Sequence, residues 1–282
     1  MILLAVFFGT VGVAYWLVHV RSVVPARRGR EMIEKLRGAG LDAHWPDARV
    51  VARYERYSGE MPTGDRLVEL RSREGGEFIG RTQQYVEGKT AEEQWRLRPD
   101  LSEGRYRATD DIKDPTAGRT EIVLSDGRVE VTQVTLFDRM TGSADAPPNY
   151  IPEGAMDLVA RLVAEDGRPA AFRMILNSAA FDAVPREEPP RQRDGRRDAE
   201  MREARLNFSH VLMKPLGERR VRVEINSGLG ATAHAMTFNE RGEVVEFSYV
   251  GDKTVFRLTE RKTTPAGGAA TRPAGDSSPE AP

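Results

Sequence analysis

Cysteine is absent from the chain, which excludes disulfides, thiolate nucleophiles and Cys-ligated metals and leaves the redox compartment open. Histidine is scarce. The four residues His19, His44, His210 and His234 lie far apart, and none forms an H-x-H or H-x-x-x-H pair that would set two imidazoles on one metal. Neither charge sign prevails, because 42 Lys and Arg stand against 43 Asp and Glu, a net charge of -1. Without a basic field, nucleic acid is not an expected partner, and a charge-driven partner must read a local patch. The nucleophile pattern G-x-S-x-G is missing, and Ser209-His210 and Ser227-Gly228 are isolated adjacencies too common to mark a catalytic serine. Gly228-Leu229-Gly230 lacks the lysine of a phosphate loop and joins two expected strands instead of opening a helix. No cofactor and no metal are expected, and the chain reads as a non-enzyme.

The features that are present begin with an apolar run. Residues 2–20 carry no formal charge when His19 is neutral, and a helix of that length rises about 28 Å, close to the hydrocarbon thickness of a bilayer. Tyr15, Trp16 and His19 sit at its C-terminal end, as amphipathic rings do at an interface, and Arg21 is next in the chain. A cleaved signal peptide would open on Lys or Arg, have a shorter apolar core and close on a small-x-small site, so an N-terminal transmembrane anchor over residues 1–21 is expected. Arg21, Arg27, Arg28 and Arg30 on its C-terminal side favour a cytoplasmic domain by the positive-inside rule. The habit of N-terminally anchored bacterial proteins to export the domain behind the anchor favours the extracytoplasmic side, which is the expectation adopted, with the cytoplasmic side kept as the alternative.

Residues 22–48 read as a juxtamembrane helix and linker, with Met32, Ile33 and Leu36 on one helical side and Gly38 and Gly40 ending it. Residues 49–262 read as a β-rich domain. Period-two runs over 66–72, 77–86, 92–98, 105–109, 120–124 and 128–134 are separated by turn residues, notably Gly75-Gly76 and Ser125-Asp126-Gly127. A helix is expected over 155–165, with Met156, Val159, Leu162 and Val163 on one face and Asp166-Gly167 as its stop. Strands resume over 170–177, 204–213, 219–226, 231–238, 243–250 and 253–260. Within residues 186–203, six arginines and six acids with Pro189-Pro190 form a charged loop that cannot enter a core, and residues 263–282 read as a disordered tail. The fold class is thus mainly β: a curved antiparallel sheet or half-barrel packed on a central helix, plus the anchor.

Adjacent acids at Glu92-Glu93 and Asp110-Asp111 point to opposite sides of a strand, and they read as surface charges. Aromatics alternating with polar residues on the strands mark a sheet face that is either a packed core or the wall of an apolar pocket. If it is a pocket, Trp95, Met156, Val159, Phe172, Met174 and Phe238 are the candidate ligand contacts between sheet and helix.

The layout of anchor, long meander, single mid-chain helix and resumed strands over residues 66–260 resembles the lipoprotein-localisation factors of the LolA/LolB type. The closing block RVRVEINSGLGATAHAMTFNERGEVVEFSYVGDKTVFRLTE, residues 219–260, is similar in texture to uncharacterised exported bacterial β-proteins. The resemblance implies a half-barrel wrapped around helices and able to accommodate acyl chains. The chain departs from those carriers in having an anchor and no lipobox cysteine, so a tethered binder of a lipid-like ligand is expected instead of a free shuttle. A structural or protein-interaction module of the envelope with a filled core is the alternative.

Deleting residues 2–20 is expected to move the protein from the membrane pellet to the aqueous fraction. Recovery of the uncleaved full chain in the aqueous fraction without detergent contradicts the anchor.

Overall fold

The computed structural model describes residues 19–86, 88–114, 116–135, 138–177, 180–181, 201–227, 230–251 and 253–265. Residues 1–18 of the expected anchor over 1–21 and the tail after 265 lie outside these, as does the charged loop up to residue 200. Among the described residues, no helix is long and apolar enough to cross a membrane.

Eight strands run in sequence through the first half: β1 (Asp47–Ser58), β2 (Met61–Glu74), β3 (Glu77–Val86), β4 (Lys89–Leu97), β5 (Gly104–Thr109), β6 (Arg119–Ser125), β7 (Arg128–Val134) and β8 (Arg139–Asp145). Local chemistry drives this meander. The β2–β3 turn uses Gly75 and Gly76, and the β6–β7 turn uses Asp126 and Gly127, all at positive φ, which matches the twist of a tight hairpin. After helix α2 (Met156–Asp166) come β9 (Ala170–Met174), β10 (Met201–Glu203), β11 (Ser209–Gly217), β12 (Arg220–Ser227), β13 (Gly230–Phe238), β14 (Val244–Tyr249) and β15 (Thr254–Pro265).

All belong to one 15-stranded sheet of order β10-β8-β7-β6-β5-β4-β3-β2-β1-β15-β14-β13-β12-β11-β9. Two meanders are thus joined where the first strand pairs with the last. β1 and β15 run antiparallel from Asp47↔Pro265 to Ser58↔Thr254, with a register shift at Arg53/Tyr54. At the far edge, the chain leaving β8 bends across to β9. There the Ile151 amide donates to the Arg173 carbonyl at 2.8 Å, and the Arg173 amide donates to that of Asn149 at 3.0 Å. This ties the segment after β8 to the edge strand β9 of the curved sheet.

The interior is filled by α2 and the inward-facing side chains. Leu158, Val159, Ala160 and Val163 of α2 are buried against Phe172, Met213, Val221 and Val223 of the sheet. The outer surface carries cross-strand pairs such as Lys214–Glu224 and Arg257–Glu246, each worth little on its own, which keep the exposed face soluble.

Several expectations need correcting. The helix expected within residues 22–48 forms, as α1 (Val24–Ala39), and it joins the packed core. It packs on β9, its Ile33 and Leu36 are buried in the main core, and the Leu41 amide just beyond it donates to the Pro99 carbonyl after β4 at 2.8 Å. The domain therefore starts at α1, because amphipathic residues next to an apolar face bury themselves there. The sheet is not wholly antiparallel, since β10 pairs parallel with β8; residues 201–203 of the expected charged loop and 263–265 of the expected tail are strand. Strand β8 was not expected at all. On α2, Leu158 is fully buried whereas Met156 and Leu162 are only partly so, which rotates the contact face by about one position.

Close approach of α1 to β9 requires glycine at position 29, where a Cβ would overlap the Ala171 carbonyl oxygen. Gly29→Ala is expected to lower stability by about 1–3 kcal/mol through overpacking. Gly38→Ala on the exposed side of the same helix has open space and should leave stability unchanged or slightly higher. Equal denaturant midpoints for the two variants would contradict the docking of α1.

Candidate functional site

Where β1, β2 and β15 meet the N-terminal half of α2, packing fails to fill the space between sheet and helix and leaves a cavity of about 320 Å³. Its floor comes from the inward face of the seam: Val50, Ala52 and Tyr54 on β1, Glu69 and Arg71 on β2, Leu258 and Arg261 on β15. The helix contributes Asp157 and Arg161, which the four-residue spacing puts on one side of α2. The β13–β14 turn closes the rim with Phe238, Arg241, Glu243 and Val244, and the segment after α1 adds His44 and Trp45.

The turn is built on Asn239, whose Oδ1 accepts from the amides of Arg241 at 2.9 Å and Glu243 at 3.0 Å. It holds Glu243 against Arg261, which lies 2.6 Å from Glu243 and 3.2 Å from Asp47. Arg161 spans the cavity from the other side. Its two terminal nitrogens reach the His44 carbonyl at 3.4 Å each, and its Nε lies 3.5 Å from Glu165. The Arg71 guanidinium lies over the Trp45 ring, 4.6 Å from its centroid, and Trp45 stacks in turn on Trp95 at 5.8 Å. No carboxylate forms an ion pair with Arg71 among the described residues.

Burial pushes the Asp157 carboxyl up to about 7, with the negative charge of Glu69 adding to the effect and Arg71 opposing it. Deeper inside, Glu153 is driven well above the carboxylate range by burial and by the charges of Glu93 and Asp157; its Oε2 is buried without a hydrogen-bond partner. Burial also raises Glu93, which sits beside Tyr106. His44 is held low by burial and by Arg161, so it is neutral at neutral pH. Among the described residues, no group of three or more His, Asp or Glu could hold a metal ion.

The candidate contacts fall mostly outside the cavity. Val159, Phe172 and Met174 are fully buried in the packed core, and Met156 packs on it. Trp95 is wedged between Gly80, Gly154 and Trp45, and a Cβ on either glycine would overlap its indole; only about 10 Å³ of free space remains beside it. Phe238 alone of the six lines the cavity. The sheet-to-helix interface is therefore core, because the small residues facing it let the aromatics interlock. Glu93 is likewise no surface charge: only Glu92 of that pair points outward, to Arg81, Gln83 and Gln94. Sequence reading missed Glu69, Arg71, Asp157 and Arg161. A signal for two of them was present, since Asp157 and Arg161 interrupt the apolar run Met156–Ala164 one turn apart.

The linkage of Asp157 to stability has a definite sign. Its carboxyl titrates at about 7 in the fold but at roughly 3.9 once unfolded, so the folded state holds the proton more tightly. The contribution of Asp157 to stability is fully present below about pH 4 and is lost as pH rises through that window toward 7. Asp157→Asn removes this share, and its urea midpoint is expected to fall less steeply between pH 4 and 7 than that of the wild type. Identical slopes would place the carboxyl in solvent.

No protein-family model and no curated protein matches the chain. Among solved structures, it is similar to the β-barrel-like protein of the domain of unknown function DUF1849 from Brucella abortus. That likeness has a TM-score of 0.42 and 12% sequence identity, and covers 77% of this chain and 98% of the other.

Proposed function

We propose that the protein is a non-enzymatic, membrane-tethered binder of an amphiphilic, lipid-like ligand, placed on the extracytoplasmic face of the membrane by residues 2–20. The observation that carries this reading is the cavity. At about 320 Å³ it lies at the lower end of the range of about 300–1,000 Å³ typical of small-molecule pockets. Its lining combines apolar side chains, Val50, Ala52, Phe238, Val244 and Leu258, with charged ones, Glu69, Arg71, Asp157 and Arg161, the mixture that suits a molecule with a tail and a head. Its size favours a short or single chain over a multi-acyl lipid. A half-barrel of the lipoprotein-localisation type, with the barrel interior given over to acyl chains, is the wider version of the same reading. The solid packing around Trp95 and Phe172 speaks for the narrower one.

That packing also supports a second reading, an envelope scaffold whose interior serves only stability. Saturable uptake separates the two. A fluorescent single-chain amphiphile should bind the full chain in nanodiscs above an empty-nanodisc blank. Ala52→Trp, which projects into the cavity from β1, should weaken that binding at least about tenfold, a loss of about 1.4 kcal/mol. Non-saturating uptake, equal in both proteins, favours the scaffold.

A further inference from the structure

Charge in the cavity is unevenly compensated. Of its four arginines, Arg261 is neutralised by Asp47 and Glu243, and Arg241 is exposed to solvent. Arg71 and Arg161 remain. Arg71 is half-buried, with an aromatic face beneath it and no ion pair among the described residues. Arg161 has only long contacts, to one carbonyl and to the exposed Glu165, and its Nε lacks a hydrogen bond. Both guanidiniums border the same space, and the planar fork of arginine suits two-point recognition of carboxylate or phosphate.

We propose that Arg71 and Arg161 form an anion-recognition site in the wall of the cavity. There they take the carboxylate or phosphate monoester head of the ligand while its chain lies along Ala52, Phe238 and Leu258. This rests on the amphiphile reading above and specifies its head. Asp157 is the internal competitor. It is faced by Tyr54 from β1, by Glu69 and Arg71 from β2 and by Glu93 from β4, and it shares its helix with Arg161 and has Glu153 in the preceding turn. While Asp157 is ionised it occupies the field of Arg71; protonated, it releases that field to the ligand. Because its carboxyl is raised to about 7, anion binding should strengthen as pH falls from 8 to 6. The cationic alternative, an ammonium head on Glu69 and Asp157, has to confront Arg71 and Arg161 in the same space.

Four octyl probes decide the matter, titrated calorimetrically into the full chain in nanodiscs against empty nanodiscs: octanoate, octyl phosphate, octylamine and octyl glucoside. The expected result is that octanoate, octyl phosphate or both bind at least about tenfold tighter than the amine and the glucoside, a margin of about 1.4 kcal/mol. Whichever anion is tighter names the source of the head. Arg71→Gln and Arg161→Gln should each abolish that margin while glucoside binding is retained, and Arg71→Lys should keep part of it. Asp157→Asn should raise anion affinity at pH 8 to its pH 6 value. Should the arginine variants not fold, the wild-type ranking and the Asp157→Asn pH profile still decide. Octylamine or octyl glucoside binding as tightly as the anions would overturn the site yet leave the amphiphile reading standing. Absence of saturable binding by all four would remove both.

Discussion

Pairing of the first strand with the last is the constraint on which the rest of the structure depends. β1 to β8 form by local hairpins, as do β11 to β15, and neither set needs the other until β1 meets β15. The seam joins residues some two hundred positions apart, as in the 3.1 Å bond from the Thr259 hydroxyl to the Arg53 carbonyl. Contacts of such separation carry the largest loop-closure cost and are made late or cooperatively. The cavity is built on this seam. Ala52 stands opposite Arg261 and Tyr54 opposite Leu258, so its floor exists only once the two meanders are joined. A ligand held there would stabilise the join through mass action on the folded state alone.

Local chemistry was legible where it was self-sufficient. Gly75-Gly76 and Asp126-Gly127 declare hairpins because only a few residue types accept positive φ, and they fix the register of the strands around them. β8 was invisible because RMTGSAD contains no aromatic or β-branched run. It is a strand because β7 and β10 offer it partners on both sides, and its Gly142 lies where a Cβ would overlap the Ala204 carbonyl oxygen. Helix α1 was legible as a helix but not as part of the domain. Amphipathicity tells which face is apolar and is silent on what will cover it.

The site was harder to read, and for a specific reason. Period two puts Leu67, Glu69 and Arg71 on one face and Val68 and Leu70 on the other, so hydrophobicity favours the wrong face of β2. Register with β1 and β3 decides otherwise, setting Arg71 opposite Val50 and Gly80 and turning the charges inward. Glu93 was recoverable. Trp95 and Leu97 are the buried side of β4, so the residue two positions before Trp95 must share it. The opposite-face rule for adjacent acids was sound, and its consequence is that one of the two had to point into the barrel.

An interior shaped only by stability has little use for such groups. Charges taken out of water lose several kcal/mol of solvation each, and even well-paired buried ions are often replaceable by apolar residues at no loss. Here Glu153 keeps a buried oxygen without a partner, Arg71 has an aromatic ring in place of a carboxylate, and Asp157 has a displaced titration. The core next to them shows that the fold can do otherwise, since Val159, Phe172 and Met174 fill their space completely. The carboxyls displaced by burial, Asp157, Glu153 and Glu93, cluster at the wall of the cavity and in the layer beneath it. On the proposed reading, that clustering weighs toward an interior arranged to meet a polar molecule from outside, and against a scaffold whose charges are incidental.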